Sequence, residues 1–184
     1  AERAGLQGGD VIVTLDGGEL RGIHCERAIY ASPMFTAPYV IRGFRDDPPF
    51  AAVEFQHNAW FVANLFLKDR PKPRFAKDFP LSWDNVLYES PSLGYVTATH
   101  QKGIDYGPTV LTYYYPMCHE TDGRTKLFSY DWRQLADVCL TDLSRAHSDI
   151  YELTERIDIM RWGHAMISPR PNFVWSGIRE KAVK

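Results

Sequence analysis

Two stretches hold residue types that bind or transform small molecules. One is Trp83-Asp84-Asn85-Val86 running into Tyr88, followed by 95–101 (YVTATHQ); the other is Arg161-Trp162-Gly163-His164-Ala165-Met166, ending in Pro169-Arg170-Pro171. Each sets an aromatic ring beside groups that exchange protons or hydrogen bonds. His164 has the titration range of a general base, although the sequence names no partner to orient it. The same letters equally describe strand ends, whose Trp packs into a core while the Arg, Asp or His satisfies nearby backbone. The residues alone leave both readings open.

Other chemistries find less support. The six histidines (24, 57, 100, 119, 147, 164) are scattered with none paired at i, i+4, and Cys118-His119 would point apart in a strand. Hence no metal site is expected. Ser90-Pro91-Ser92-Leu93-Gly94 is serine-rich but is no GxSxG elbow, and reads as a turn bonding its own backbone. Cys139 falls on an apolar helical stripe, where a thiol is inert. The glycines of 6–10 (LQGGD) precede a strand, the wrong order for cradling a dinucleotide pyrophosphate. The basic, proline-containing stretch 68–77 (KDRPKPRFAK) reads as a solvated loop between strands, or else as a site for an anion or acidic partner.

Composition narrows the class further. Of 184 residues, 45% are hydrophobic and 24% charged, as in a packed globular protein. A formal net charge of −2 gives no bulk electrostatic reason to bind nucleic acid or an anionic membrane. Aromatic residues at 14% point to large buried rings or an aromatic-lined site for a small molecule. Three widely spaced cysteines favour a reducing compartment and a cytoplasmic location, with the periplasm as the alternative if an export signal precedes this sequence. The longest apolar run, 59–67 (AWFVANLFL), is about half of what spans a bilayer, so it reads as a core strand. The first and last residues, without an opening Met or a closing element, read as a piece of a longer protein.

The elements that must position these residues follow from periodicity. Residues 11–15 (VIVTL) and 19–24 flank Asp16-Gly17-Gly18, a hairpin signal, and 27–32 (RAIYAS) would add a third strand of a β-meander. Strands are expected at 52–55 (AVEF), 59–67, 85–90 (NVLYES), 93–101 (LGYVTATHQ) and 109–116 (TVLTYYYP). Trp132, Leu135, Ala136, Cys139, Leu140, Leu143 and Ala146 define one amphipathic helix, capped by Ser129 or Asp131; Asp131 and Gln134 have capping-box spacing. A shorter helix is expected at 149–155 and a strand at 156–161. The fold class is α+β, dominated by antiparallel sheet.

Two resemblances bear on function. Residues 1–18 (AERAGLQGGDVIVTLDGG) look like the AGL-x-x-GD-x-I stretch of PDZ domains, which implies a non-catalytic binding module. A second covers nearly the whole chain: RAIYASPMF-x-APYVIRGFR, AWFVANLFLKDRP, WDNVLYESPSLGYVTATHQ, GPTVLTYYYP, DW…DL-x-x-AH and IMRWGHAM-x-x-PRP. In order and spacing this series resembles the flavin-containing amine oxidase superfamily, in its bacterial FAD/NAD(P)-binding oxidoreductase branch. The resemblance implies FAD as cofactor, a small-molecule substrate and hydride transfer to flavin. Residues 1–42 would then be the end of an FAD-domain meander, 43–165 a substrate domain, and 166–184 a return toward the FAD domain. It also implies that Ala31, Ser32, Pro33 and Gly163 lie on the cofactor side, that Trp162 and His164 act catalytically, and that Trp83 and Tyr95 face substrate. The family's GxGxxG turn is not in this sequence, and Asn172 stands where a glycine is expected after Pro169-Arg170-Pro171.

Overall fold

A computed structural model describes residues 10–14, 17–46, 55–74, 81–118, 122–168, 171–175, 177 and 180. The chain divides into two compact units, Ala1–Val53 with Glu180–Lys184, and Glu54–Arg179.

In the first unit, β1 (Asp10–Thr14) and β2 (Leu20–His24) pair antiparallel, with Asp10 opposite His24 and Thr14 opposite Leu20. Gly17 and Gly18 hold φ of 93° and 83° in the connection, a backbone region that glycine enters without a Cβ penalty. The expected third strand at 27–32 does not form. Instead, the chain runs irregularly to a single 3₁₀ turn at Met34–Thr36 and the short helix α1 (Ala37–Val40). Local bonds favour the turn over a strand: the Pro33 carbonyl accepts from the Thr36 N–H (2.9 Å), the Thr36 hydroxyl (2.8 Å) and the Tyr30 hydroxyl (3.1 Å). Expected strand 52–55 lies largely outside the described residues.

The second unit is α+β. Its five-stranded antiparallel sheet has the order β4-β5-β6-β3-β7, built from β3 (His57–Leu67), β4 (Asp84–Asn85), β5 (Tyr95–Thr97), β6 (Thr109–Pro116) and β7 (Thr154–Ile167). Three helices complete it: α2 (Gly123–Ser129), α3 (Trp132–Ser144) and α4 (Ile150–Leu153). From Asn58 to Leu67, β3 alternates strictly between half-buried and buried residues, the period-2 signature of a central strand with two unlike faces. Its buried row, Ala59, Phe61, Ala63, Leu65 and Leu67, packs with Leu111 and Tyr113 of β6 and Ile157 of β7. The same core takes Leu127 of α2, Leu135, Ala136, Cys139 and Leu143 of α3, and Ile150 of α4. All three helices therefore bury residues in one core on the odd-numbered face of β3.

α3 starts where the spacing predicts. The Asp131 carboxylate accepts from the Gln134 N–H at 2.8 Å, and the Gln134 side chain accepts from the Asp131 N–H at 2.9 Å. Trp132, placed on the buried stripe by periodicity, is instead 53% exposed and donates its indole N–H to the Ile157 carbonyl. Strand 85–90 shrinks to Asp84–Asn85, because Glu89 takes a left-handed φ of 61° and Ser90 turns toward α3. Likewise 93–101 keeps only Tyr95–Thr97 before a 3₁₀ turn at His100–Lys102. β7 extends well beyond 156–161, and α2 is a helix that apolar periodicity did not signal.

Candidate functional site

The two faces of the sheet differ in kind. Opposite the helix-packed row, β3 presents Trp60, Val62, Asn64 and Phe66, all half-buried. Register sets Trp60 across from Trp162 and Pro116, and Val62 across from Met160 and Tyr114. It sets Asn64 across from Asp158 and Thr112, and Phe66 across from Arg156 and Val110. Directly opposed residues share a face, so these rungs form one surface.

That surface has two halves. At the Phe66 end the polar groups satisfy each other. The Thr112 hydroxyl donates to the Asn64 carbonyl oxygen at 2.9 Å, Arg156 pairs with Asp158 at 3.1 Å, and the Arg156 guanidinium lies 3.9 Å from the Phe66 ring centre. The other half is apolar and aromatic: Trp60, Trp162, Val62, Met160 and Tyr114. Trp162 is 53% exposed and Met160 39%. Three strands at β-sheet spacing make this wall about 10 Å wide.

Beside the wall β7 bulges. Trp60 pairs with Trp162 and Asn58 with Met166, so Ala59 alone opposes Gly163, His164 and Ala165. A bulge unpairs residues and re-aims side chains, and such features concentrate next to functional sites. At Gly163, a Cβ would fall 2.8 Å from the Phe128 ring and 2.9 Å from Arg124 Nε, both on α2. The absent side chain lets α2 close down on the bulge. His164 meets the His57 ring edge-on, centroids 6.1 Å apart. Burial first, then the nearby Arg124 guanidinium and His57, hold the His164 pKa below the usual histidine value, which favours the neutral imidazole.

The singled-out residues thus fall in separate places. Trp162, Gly163 and His164 are brought together at the bulge. Trp83 sits just before β4, 56% exposed, at the far edge of the sheet, with β5, β6 and β3 between it and β7. Tyr95 is 3% exposed and belongs to the helix-packed core, on the opposite face from Trp162. Its hydroxyl meets His147 Nε2 at 2.5 Å. His147 Nδ1 faces the Lys72 carbonyl at 3.1 Å and must carry the proton, so Nε2 accepts from Tyr95. Tyr95 is a core anchor as placed. Ala31, Ser32 and Pro33 are exposed residues of the first unit. In that unit residues 38–43 with Arg45 and Asp46 line an open concavity of ≈ 330 Å³, where Arg45 stacks 5.3 Å from the Tyr39 ring centre.

Sequence reasoning missed a buried polar cluster. Asp142 Oδ2 accepts from the hydroxyls of Ser90 (2.7 Å), Ser92 (2.8 Å) and Tyr113 (2.9 Å), and Oδ1 from Arg145 at 3.3 Å. Burial, then the Asp142 charge, pushes the Tyr113 pKa up, and burial does the same at Cys139, so both stay protonated. The Ser-Pro-Ser turn was legible; its carboxylate partner, some fifty residues away, was not. The 68–74 strap is also anchored: Lys72 N–H donates to Asp149 and Arg74 N–H to the Ala146 carbonyl, while Arg70 binds the Thr99 hydroxyl and the Ile104 carbonyl.

Among the described residues, no group of three or more His, Cys, Asp or Glu could hold a metal ion. Among them, too, no helix is long and apolar enough to cross a membrane. No protein-family model matches the chain, and no curated protein matches it.

Proposed function

We propose that this chain is the substrate-side part of an FAD-dependent, amine-oxidase-like oxidoreductase, with the aromatic half of the open sheet face turned toward the flavin ring and a small-molecule substrate. The observation that carries the proposal is the Trp60–Trp162 rung with Met160, Val62 and Tyr114: an apolar wall left half-open on the sheet face opposite the helix-packed core. The six-segment resemblance agrees, since a substrate domain must offer one such face.

The residues suit the reacting half of the cofactor. A flat, apolar, partly exposed wall complements an isoalloxazine ring or the body of an uncharged substrate. The sequence has no GxGxxG turn, so this chain does not supply that means of holding the phosphates. FAD, when bound, would accept a hydride from the substrate. The chain's own work is positional. Trp60 and Trp162 exclude water and fix the approach of the substrate, an effect that by itself lowers a barrier substantially. His164, held neutral beside Arg124, is suited to accept a proton.

The test is the visible absorption spectrum of the protein in its natural length, purified without added cofactor. Bands of oxidised flavin that bleach with dithionite would support the proposal. A folded, colourless protein that takes up no added FAD would overturn it, and leave the open face as the groove of a non-catalytic binding module.

A further inference from the structure

We propose that the β7 bulge and the facing side of α2 form a binding site for a small organic anion, gripped by Arg124 and Arg161 with its apolar body against Phe128. The site stands independently of the flavin reading.

Positive charge gathers here around one ring. The Arg124 and Arg161 guanidinium carbons lie 5.9 and 5.5 Å from the Phe128 ring centre, and Phe128 is 49% exposed. His164 and His57 adjoin the same bulge, their rings in edge contact. Elsewhere on β7, Arg156 has Asp158 as its partner. Among the described residues neither Arg124 nor Arg161 forms an ion pair with a carboxylate. The carboxylate that senses Arg124 is Asp122, whose Oδ1 already accepts from the Thr125 N–H at the start of α2. Arg161 uses one N–H on the Tyr130 carbonyl at 3.2 Å, which orients its fork and leaves its other donors to serve a ligand.

The backbone is shaped for this gathering. With glycine at position 163, Arg124 Nε and the Phe128 ring come within about 3 Å of where a Cβ would stand, so both sit close against the bulge. Two planar guanidiniums beside an aromatic ring match the geometry of a carboxylate or phosphate joined to an apolar group, because each fork can donate two parallel bonds.

The test is NMR titration of the ¹⁵N-labelled chain with benzoate, phenyl phosphate and inorganic phosphate as probes. Saturable shifts centred on the Gly163 and His164 amides are expected with benzoate or phenyl phosphate, and the tighter of the two identifies the anionic group. Inorganic phosphate, lacking a body for Phe128, should bind more weakly. The double variant Arg124→Gln, Arg161→Gln should weaken binding about tenfold or more, since it removes both charge-assisted forks. Arg133→Gln, an equal loss of charge on α3, should leave binding unchanged. Shifts that do not saturate, or that centre away from the bulge, overturn the proposal without recourse to any variant. An Arg133→Gln effect equal to that of the double variant overturns it too, by reducing the site to bulk charge.

Discussion

Replacing Asp142 with Ala should cost the second unit more stability than any other single polar change in it. The carboxylate is 9% exposed and collects three hydroxyl donors on one oxygen and Arg145 on the other. Without it the Tyr113 hydroxyl, at 0% exposure, and the Ser92 hydroxyl, at 6%, lose their shared acceptor. Each stranded buried donor costs roughly 1–3 kcal/mol. Ser90 and Ser92 still bond each other at 2.9 Å, and Arg145 is exposed enough to find water, so these two soften the loss. The net expectation is about 3–5 kcal/mol, the range found when one partner of a buried charged cluster is removed. For a unit of this size that lowers Tm by roughly 10–20 °C. Tyr113→Phe, which removes one donor and leaves the carboxylate three, should cost only about 1 kcal/mol. Urea unfolding followed by circular dichroism measures both, and the double variant measures their coupling. An Asp142→Ala cost below about 1 kcal/mol, or additive effects of the two changes, would refute the claim that this carboxylate is the shared acceptor that holds the buried cluster together.

Four further outcomes follow from the same contacts. Gly94 holds φ of +81°, and a Cβ there would lie 1.9 Å from the Asn85 carbonyl oxygen, so Gly94→Ala should abolish the β4–β5 pairing, seen as lost amide protection. Gly163→Ala meets only the tips of Phe128 and Arg124 and should cost about 1 kcal/mol or less in urea unfolding while moving the Phe128 ring resonances. Removing the α3 cap by Asp131→Ala should cost about 1 kcal/mol in the same assay. Burial holds the His147 pKa below its unfolded value, against smaller opposing effects of the Lys72 carbonyl and Asp149. Its contribution is therefore complete above about pH 6.5 and is lost as pH falls below that, because the unfolded chain takes up the proton first. Stability should fall from pH 7 to pH 5, and less steeply in His147→Gln.

Local chemistry made part of the fold legible. The Asp131–Gln134 capping box, the run 109–116 and the Gly17-Gly18 connection each declare themselves within a few residues, and each forms. Strand 85–90 failed because the Asp142 carboxylate, distant in sequence, captures Ser90 and Ser92 and bends the chain through a left-handed Glu89. The third meander strand failed where three donors converge on the Pro33 carbonyl. α2 escaped notice because Gly123 and Thr125 weaken its apolar pattern, although Asp122 caps it. Of the candidate site, the adjacency of Trp162, Gly163 and His164 could be read directly. The Trp60–Trp162 rung could not, since it depends on cross-strand register, nor could the bulge that turns an ordinary strand end into a meeting point with α2. Tyr95 looked like a site aromatic because it opens the aromatic-polar stretch 95–101; the partner across the core, His147, shows its structural contact.

The most direct measurement of the central claim compares the flavin spectrum of the natural-length protein with those of Trp162→Ala and Trp83→Ala. If the open face looks onto the flavin, removing the Trp162 ring changes the shape of the flavin bands and the flavin fluorescence, whereas removing Trp83, at the far edge of the sheet, changes neither. Identical spectra in all three proteins, or no flavin in any of them, would contradict the account.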